Sequence, residues 1–215
     1  MTSGGSTGLI LASGSMTRRR LLAATGLAFE VMPADIDEAA VKRAGVQQGL
    51  APERIALTLA EGKASRISAL HPDALVLAAD QLLSVAGDLL DKPVGREGLA
   101  RHLQQLSGRV HHLVNGVVLM RGAEVIWSYS DRCEMEMRPL TAAEQATYLA
   151  SAPEAVMSSV GGYRIEAEGI HLFRRMGGDW SAILGLPLLP LLAALRQAGL
   201  TWPEATDRTG GVKHV

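Results

Sequence analysis

The chain has 215 residues, 47% of them apolar, with 21 Lys and Arg against 22 Asp and Glu and a formal net charge of −1. That length suits one domain or two small lobes with a sizeable core, and the balanced charge argues against nucleic-acid binding through a basic surface. The one cysteine, Cys133, leaves no internal disulfide and fits a reducing, cytoplasmic location; no apolar run reaches the ~20 residues of a membrane span, and no basic segment opens a signal peptide.

Residues 1–7 are small and polar and are expected to fray, as is the polar tail 203–215, so the ordered part of a single domain should run from about residue 8 to about residue 200. Leu9–Ala12 reads as a short buried strand, and Ser13-Gly14-Ser15 as a turn into a helix capped by Ser15 or Thr17 and stopped at Gly26. Phe29–Met32 reads as a second strand, ended by Pro33. From Pro52 to Leu70, the residues Ile55, Leu59, Ala60, Ala64 and Ile67 recur on one helical face. Two apolar runs, Leu75–Ala79 and Leu82–Val85, flank Asp80 and Gln81; a helix over Glu97–Leu106 follows the turn at Gly87-Asp88.

Val110–Met120 and Val125–Met137 have the pattern of a hairpin turning at Arg121-Gly122-Ala123-Glu124. Thr141 with Glu144 makes a capping box for a helix reaching Leu149. A strand near Tyr163–Ile165, a turn at Gly177-Gly178-Asp179 and a last helix over Pro187–Ala198 complete the reading. Interleaved helices and strands make the class α/β, with a mixed central sheet flanked by helices because one pair is a hairpin.

Four polar clusters follow or interrupt the apolar runs, where α/β proteins place their ligand sites. Ser13, Ser15 and Arg18 lie where a strand passes into a helix start, which offers free N–H groups and a guanidinium to an anion; the plainer alternative is an ordinary turn and a solvated helix face. Asp35, Asp37 and Glu38 can supply hard oxygen ligands to Mg²⁺ or Mn²⁺, or equally line a polar loop and helix N-terminus. Lys63 alone is a surface lysine on an amphipathic helix. Asp80, set among apolar residues, needs a partner or a metal because burying an unpaired charge is expensive. Asp88 and Asp91 suit a solvated turn, whereas Lys92, fixed before Pro93, can present its ammonium to a pocket.

Other chemistries lack their signatures. The chain has no G-x-x-x-x-G-K-[ST], no G-x-G-x-x-G opening a helix and no G-x-S-x-G elbow. His111 and His112 are adjacent, so on a strand they point to opposite faces and make a poor metal pair. Cys133 falls among alternating strand residues and reads as packing.

Taken together and in order, these clusters resemble the Maf family of nucleoside triphosphate pyrophosphatases. Ala12-Ser13-Gly14-Ser15-Met16-Thr17-Arg18 with Leu21-Leu22 is similar to its opening A-S-x-S-P-R-R-x-x-L-L, Asp37-Glu38 to its D-E pair, and Leu59 to Ala64 to its L-A-x-x-K-A. Ala78-Ala79-Asp80-Gln81 and Asp91-Lys92-Pro93 resemble its G-A-D-T and G-K-P, the segment from Leu106 its L-S-G-R-x-H, and Gly185-Leu186-Pro187-Leu188 its G-L-P-L. The likeness runs from about Leu9 to about Leu195.

The resemblance implies a two-lobed architecture with the site in the cleft, a homodimer, and divalent-cation-assisted hydrolysis of a nucleoside triphosphate to monophosphate and pyrophosphate. It also implies roles: Asp80 as general base, Glu38 with Asp80 as metal ligands, and Ser13, Ser15, Arg18, Lys63, Gln81 and Lys92 as substrate-binding groups. Nucleic acid and membranes are not expected as partners. The departures are Met16-Thr17 for Pro-Arg, Gln81 for a threonine, and Ser158 to Ala167 for D-K-A-G-A-Y-G-I-Q-G, where Ser159 replaces the lysine and Glu166 the glutamine. These leave the base open, so the pyrimidine preference of the best-known branch does not carry over. They also motivate a second reading, a catalytically weak nucleotide-binding regulator of cell division or septum formation.

Overall fold

A computed structural model describes residues 8–200; the ends expected to fray lie outside the described residues. In chain order the elements are β1 (Leu9–Leu11), α1 (Met16–Ala24), β2 (Glu30–Val31), α2 (Glu38–Gln47), α3 (Pro52–Ser68), β3 (Leu75–Val85), β4 (Asp88–Leu90), α4 (Gly95–Leu106), β5 (Val110–Arg121), β6 (Glu124–Met137), α5 (Ala142–Ser151), β7 (Phe173–Gly177), α6 (Trp180–Ile183) and α7 (Leu188–Gln197). The strands form one mixed sheet in the order β2-β1-β3-β5-β6-β7, with β4 paired to β3 beside that path. β1 is parallel to β2 and β3, and the other pairings are antiparallel.

The alternation of β3 and β5 sorts the core into two layers. On one face, Val76, Ala78, Val118 and Met120 pack with Ala60, Ala64 and Ile67 of α3, and Leu82 and Val114 pack with Ile55, Ala56 and Leu59. On the other, Leu75, Leu77, Ala79, Val117 and Leu119 meet Leu22 of α1 and Leu191 and Leu195 of α7. Further along that same face, Leu83, Val85 and Leu113 join Leu99, Leu103 and Leu106 of α4 with Tyr148 and Tyr163. Gln81 falls between these two clusters, at the one polar step in the alternation.

β3 is a single strand, not two runs. Asp80 and Gln81 stay in it because β5 pairs with every residue from Val76 to Ser84, including Asp80 opposite Gly116. The other edge of β3 is taken only at its ends, by β1 against Leu75–Leu77 and by β4 against Leu83–Val85. The stretch from Ala78 to Leu82 therefore lacks a strand neighbour on that side among the described residues, and this gap lies just past the C-terminal end of β1.

The strand expected near Tyr163–Ile165 is not one. Gly161 and Gly162 adopt φ of 80° and 72°, and the surrounding chain forms short 3₁₀ turns at Glu154–Ser158, Val160–Gly162 and Glu168–Leu172. Tyr163 is buried through its side chain, packing edge-on against Phe173 at 4.8 Å, with no sheet neighbour for its backbone.

Candidate active site

The gap in the edge of β3 opens into a cavity of about 710 Å³ lined by Ser13, Ser15, Arg18, Glu38, Lys63, Asp80, Gln81 and Lys92. All eight residues to which the resemblance gave catalytic, metal-binding or substrate-binding roles are thus on one surface. Six cationic side chains (Arg18, Arg20, Lys42, Lys63, Lys92 and Arg164) face three carboxylates there (Glu38, Asp80 and Glu166). A chain of net charge −1 has gathered a local positive excess.

The β1–α1 turn builds one wall. Ser15 caps α1, its side chain accepting from the Arg18 N–H at 3.3 Å, while the Ser15 N–H donates to Ser13 Oγ at 3.2 Å. Arg18 is half-buried and held at both ends: Nε donates to the Gly185 carbonyl at 2.8 Å and Nη1 to Ser13 Oγ at 3.4 Å. Burial lowers the proton affinity of this guanidinium, and the charges of Asp80 and Glu38 oppose that. Gly185 permits the turn that aims its carbonyl at the guanidinium, since its φ of 95° is a conformation that L side chains rarely adopt.

The opposite wall comes from α3. Lys63 is 8% exposed and Asp80 6%. The Lys63 ammonium donates to Asp80 Oδ1 and lies 2.7 Å from Glu38 Oε1, so one cation joins two carboxylates from separate elements. Asp37 caps α2 through the Ala40 N–H at 2.8 Å, which turns Glu38 into the cavity from the first helical turn. Burial pushes the Glu38 carboxyl up, but the hydrogen bond and charge of Lys63, with Lys92 and Lys42, outweigh it and hold Glu38 below the ordinary carboxylate value.

Gln81 has a different set of partners. Its amide nitrogen donates to Asn115 Oδ1 at 3.2 Å and to the carbonyls of Ala182 and Ile183 at 3.2 and 3.1 Å. Asn115, fully buried, donates to Asp131 at 2.8 Å and to Ala182 O at 2.9 Å. These bonds fasten the segment that carries Gly185, and so Arg18, to the sheet.

Sequence reasoning missed Lys42, Arg20 and Arg164 as cavity-lining cations. For Lys42 a signal existed: it follows Glu38 by four residues, one turn on along the same helix face. Asp35 and Asp37 do not line the cavity; Asp37 is spent on its cap. Among the described residues no group of three or more His, Cys, Asp or Glu side chains could hold a metal ion.

A strand-to-helix turn at the end of a parallel strand, facing a buried Lys–carboxylate centre across a cation-lined cavity, defines an α/β protein with its candidate site at an open sheet edge. A family model for Maf-like proteins matches residues 8–198, and the chain belongs to that family. It is 46% identical over 191 residues to the 7-methyl-GTP pyrophosphatase of Mesorhizobium japonicum, covering 89% of this chain and 96% of that protein. It is 47% identical over 193 residues to the nucleoside triphosphate pyrophosphatase of Nitrobacter hamburgensis (89% and 94%). It is 43% identical over 195 residues to nucleoside triphosphate pyrophosphatase 1 of Jannaschia sp. (91% and 98%).

Proposed function

We propose that this protein hydrolyses a nucleoside triphosphate to the monophosphate and pyrophosphate, with 7-methyl-GTP as its preferred substrate class, and thereby clears non-standard nucleotides. The observation that carries this reading is the convergence of Arg18, Lys63, Lys92, Glu38 and Asp80 on one cavity, where the sheet edge is open. Relatives named for these reactions support the chemistry and the methylated purine.

The residues divide the work by position. The Ser13–Ser15 turn and the start of α1 offer N–H groups and hydroxyls to phosphate oxygens. Arg18, held from behind by Gly185, keeps Nη2 for a phosphate without having to reorganise. Lys63 and Lys92 offset charge developing on the departing pyrophosphate. Asp80, at the floor of the gap, is the base that takes the proton of an attacking water.

Glu38 and Asp80 fit a divalent cation: both reach the single cationic point that the Lys63 ammonium marks. Two carboxylates completed by phosphate oxygens and water make the hard-oxygen shell that Mg²⁺ or Mn²⁺ favours. When bound, such an ion would neutralise phosphate charge and make the attacking water more acidic. The cavity is proposed as the cleft between two lobes. A homodimer and a cytoplasmic location belong to the same proposal, the latter suited by Cys133, which is buried with its thiol pushed up to about 12 by burial.

The test is the purified protein with Mg²⁺ and a panel of triphosphates that includes 7-methyl-GTP, GTP, dTTP and UTP. Monophosphate and pyrophosphate should appear, fastest from 7-methyl-GTP, and Asp80→Asn should lower kcat by about 10³-fold while keeping the fold. Nucleoside diphosphate with orthophosphate as products, or an Asp80→Asn enzyme at the parent rate, overturns the assignment. Tight nucleotide binding without product would favour the regulator reading.

A further inference from the structure

Lys42 projects from α2 into the cavity one helical turn beyond Glu38. Its partner lies outside the cavity lining: its ammonium is 2.8 Å from Asp91 Oδ1, and Asp91 is not among the lining residues. The two ends of this bond differ. The Lys42 side chain is 20% exposed and the Asp91 side chain 79%. Asp91 follows β4 and directly precedes Lys92, so the bond ties α2 to the segment that delivers a second cavity lysine. The charges of Lys42 and Lys92 both act on Glu38, which places them near the same end of the site.

Resting on the reading of the cavity as a triphosphate site, we propose that Lys42 is a phosphate-binding residue held in reserve by Asp91, which it leaves for the outer phosphates when nucleotide enters. An ion pair with so exposed a carboxylate is weak and screened by water. A triphosphate carries several negative charges into a partly enclosed site, where each cation is worth more than at the surface. The exchange therefore runs toward the ligand. Asp91 keeps the ligand-free site from holding two uncompensated ammonium groups, those of Lys42 and Lys92, near one end, and competes with the leaving pyrophosphate for Lys42 once the bond is cut. That competition helps release product.

Inorganic pyrophosphate, titrated calorimetrically into the full-length protein with Mg²⁺, reads this without turnover, so the result is separable from any failure to find the substrate. Lys42→Met should weaken pyrophosphate binding about tenfold, and Lys42→Arg should recover most of it. Asp91→Asn should tighten binding about threefold, since a competing carboxylate is gone. In a Lys42→Met background Asp91→Asn should change nothing, a coupling that a purely structural role for the pair would not produce. With the nucleotide substrate, Lys42→Met should raise KM and the inhibition constant of pyrophosphate together. Unchanged binding in Lys42→Met, or weaker binding in Asp91→Asn, overturns the proposal. If pyrophosphate binds as described but no triphosphate is cleaved, the role of Lys42 stands and the catalytic reading falls.

Discussion

Lys63 is a surface-type residue that the fold has buried, and it is tolerable there only because Glu38 and Asp80 meet it from two other elements. Remove Lys63 and the two carboxylates are left to repel each other; remove either carboxylate and the ammonium keeps the other. Gln81 shows the same dependence in neutral form, since its amide nitrogen is the common donor for three acceptors: Asn115 Oδ1 and the carbonyls of Ala182 and Ile183. Gln81→Glu replaces that donor with an oxygen and sets it against all three. It should cost about 2 kcal/mol by urea denaturation, because buried acceptors lose their partner and gain a repulsive one. Because the same segment holds Arg18 through Gly185, KM for the nucleotide should rise as well. A variant as stable as the parent would mean that these bonds contribute nothing.

α3 reaches the sheet so closely because both surfaces are small where they cross. Ala56, Ala60 and Ala64 recur every fourth residue, all 0% exposed. Gly116 lies beneath them in β5, directly across from Asp80. A Cβ on Gly116 would stand 2.3 Å from the Ala56 carbonyl carbon and 2.5 Å from Leu57 N, both backbone atoms of the helix. Gly116→Ala should therefore push α3 off the sheet, lowering stability by about 3 kcal/mol. It should also draw Lys63 away from Asp80, so kcat/KM falls with the melting temperature. This contact was not legible in the sequence, where Gly116 reads only as one residue of a long apolar strand. What was legible followed from local physics: a cap at Ser15 or Thr17, of which the structure uses Ser15, the face of α3, the hairpin of β5 and β6, and the Thr141–Glu144 capping box. Features set by distant neighbours were missed. The expected Tyr163–Ile165 strand failed because its side chains had a core to enter but its backbone had no strand to join. β4 escaped notice because three residues give no periodicity.

Across the whole molecule, the polar groups that matter are strung along the middle of one sheet, from the cavity at β3 to the interior beneath β5. His111 is the buried histidine of that arrangement, 0% exposed, sharing a 2.7 Å hydrogen bond with the hydroxyl of Tyr163, a cavity-lining residue. Burial first, then the charge of His112, push its value down to about 4, with the Arg109 backbone opposing the shift. In the unfolded chain the ring titrates near ~6.5. Above that value both states are neutral here and His111 adds no pH dependence. As pH falls from about 6.5 toward about 4, the unfolded state takes up a proton that the native state refuses, so stability declines through that window. A shift of this size removes at most about 3 kcal/mol by pH 4. His111→Phe keeps a ring beside Tyr163 and Phe173 and removes the proton site, at the cost of an unpaired Tyr163 hydroxyl, so it should be less stable than the parent at neutral pH. The informative quantity is the slope: carboxylates shared by both proteins cancel in the difference, and the variant's stability should fall less steeply between pH 6.5 and 4. Parallel stability curves from chemical denaturation across that range would show that His111 takes up its proton as readily in the folded protein as in the unfolded chain.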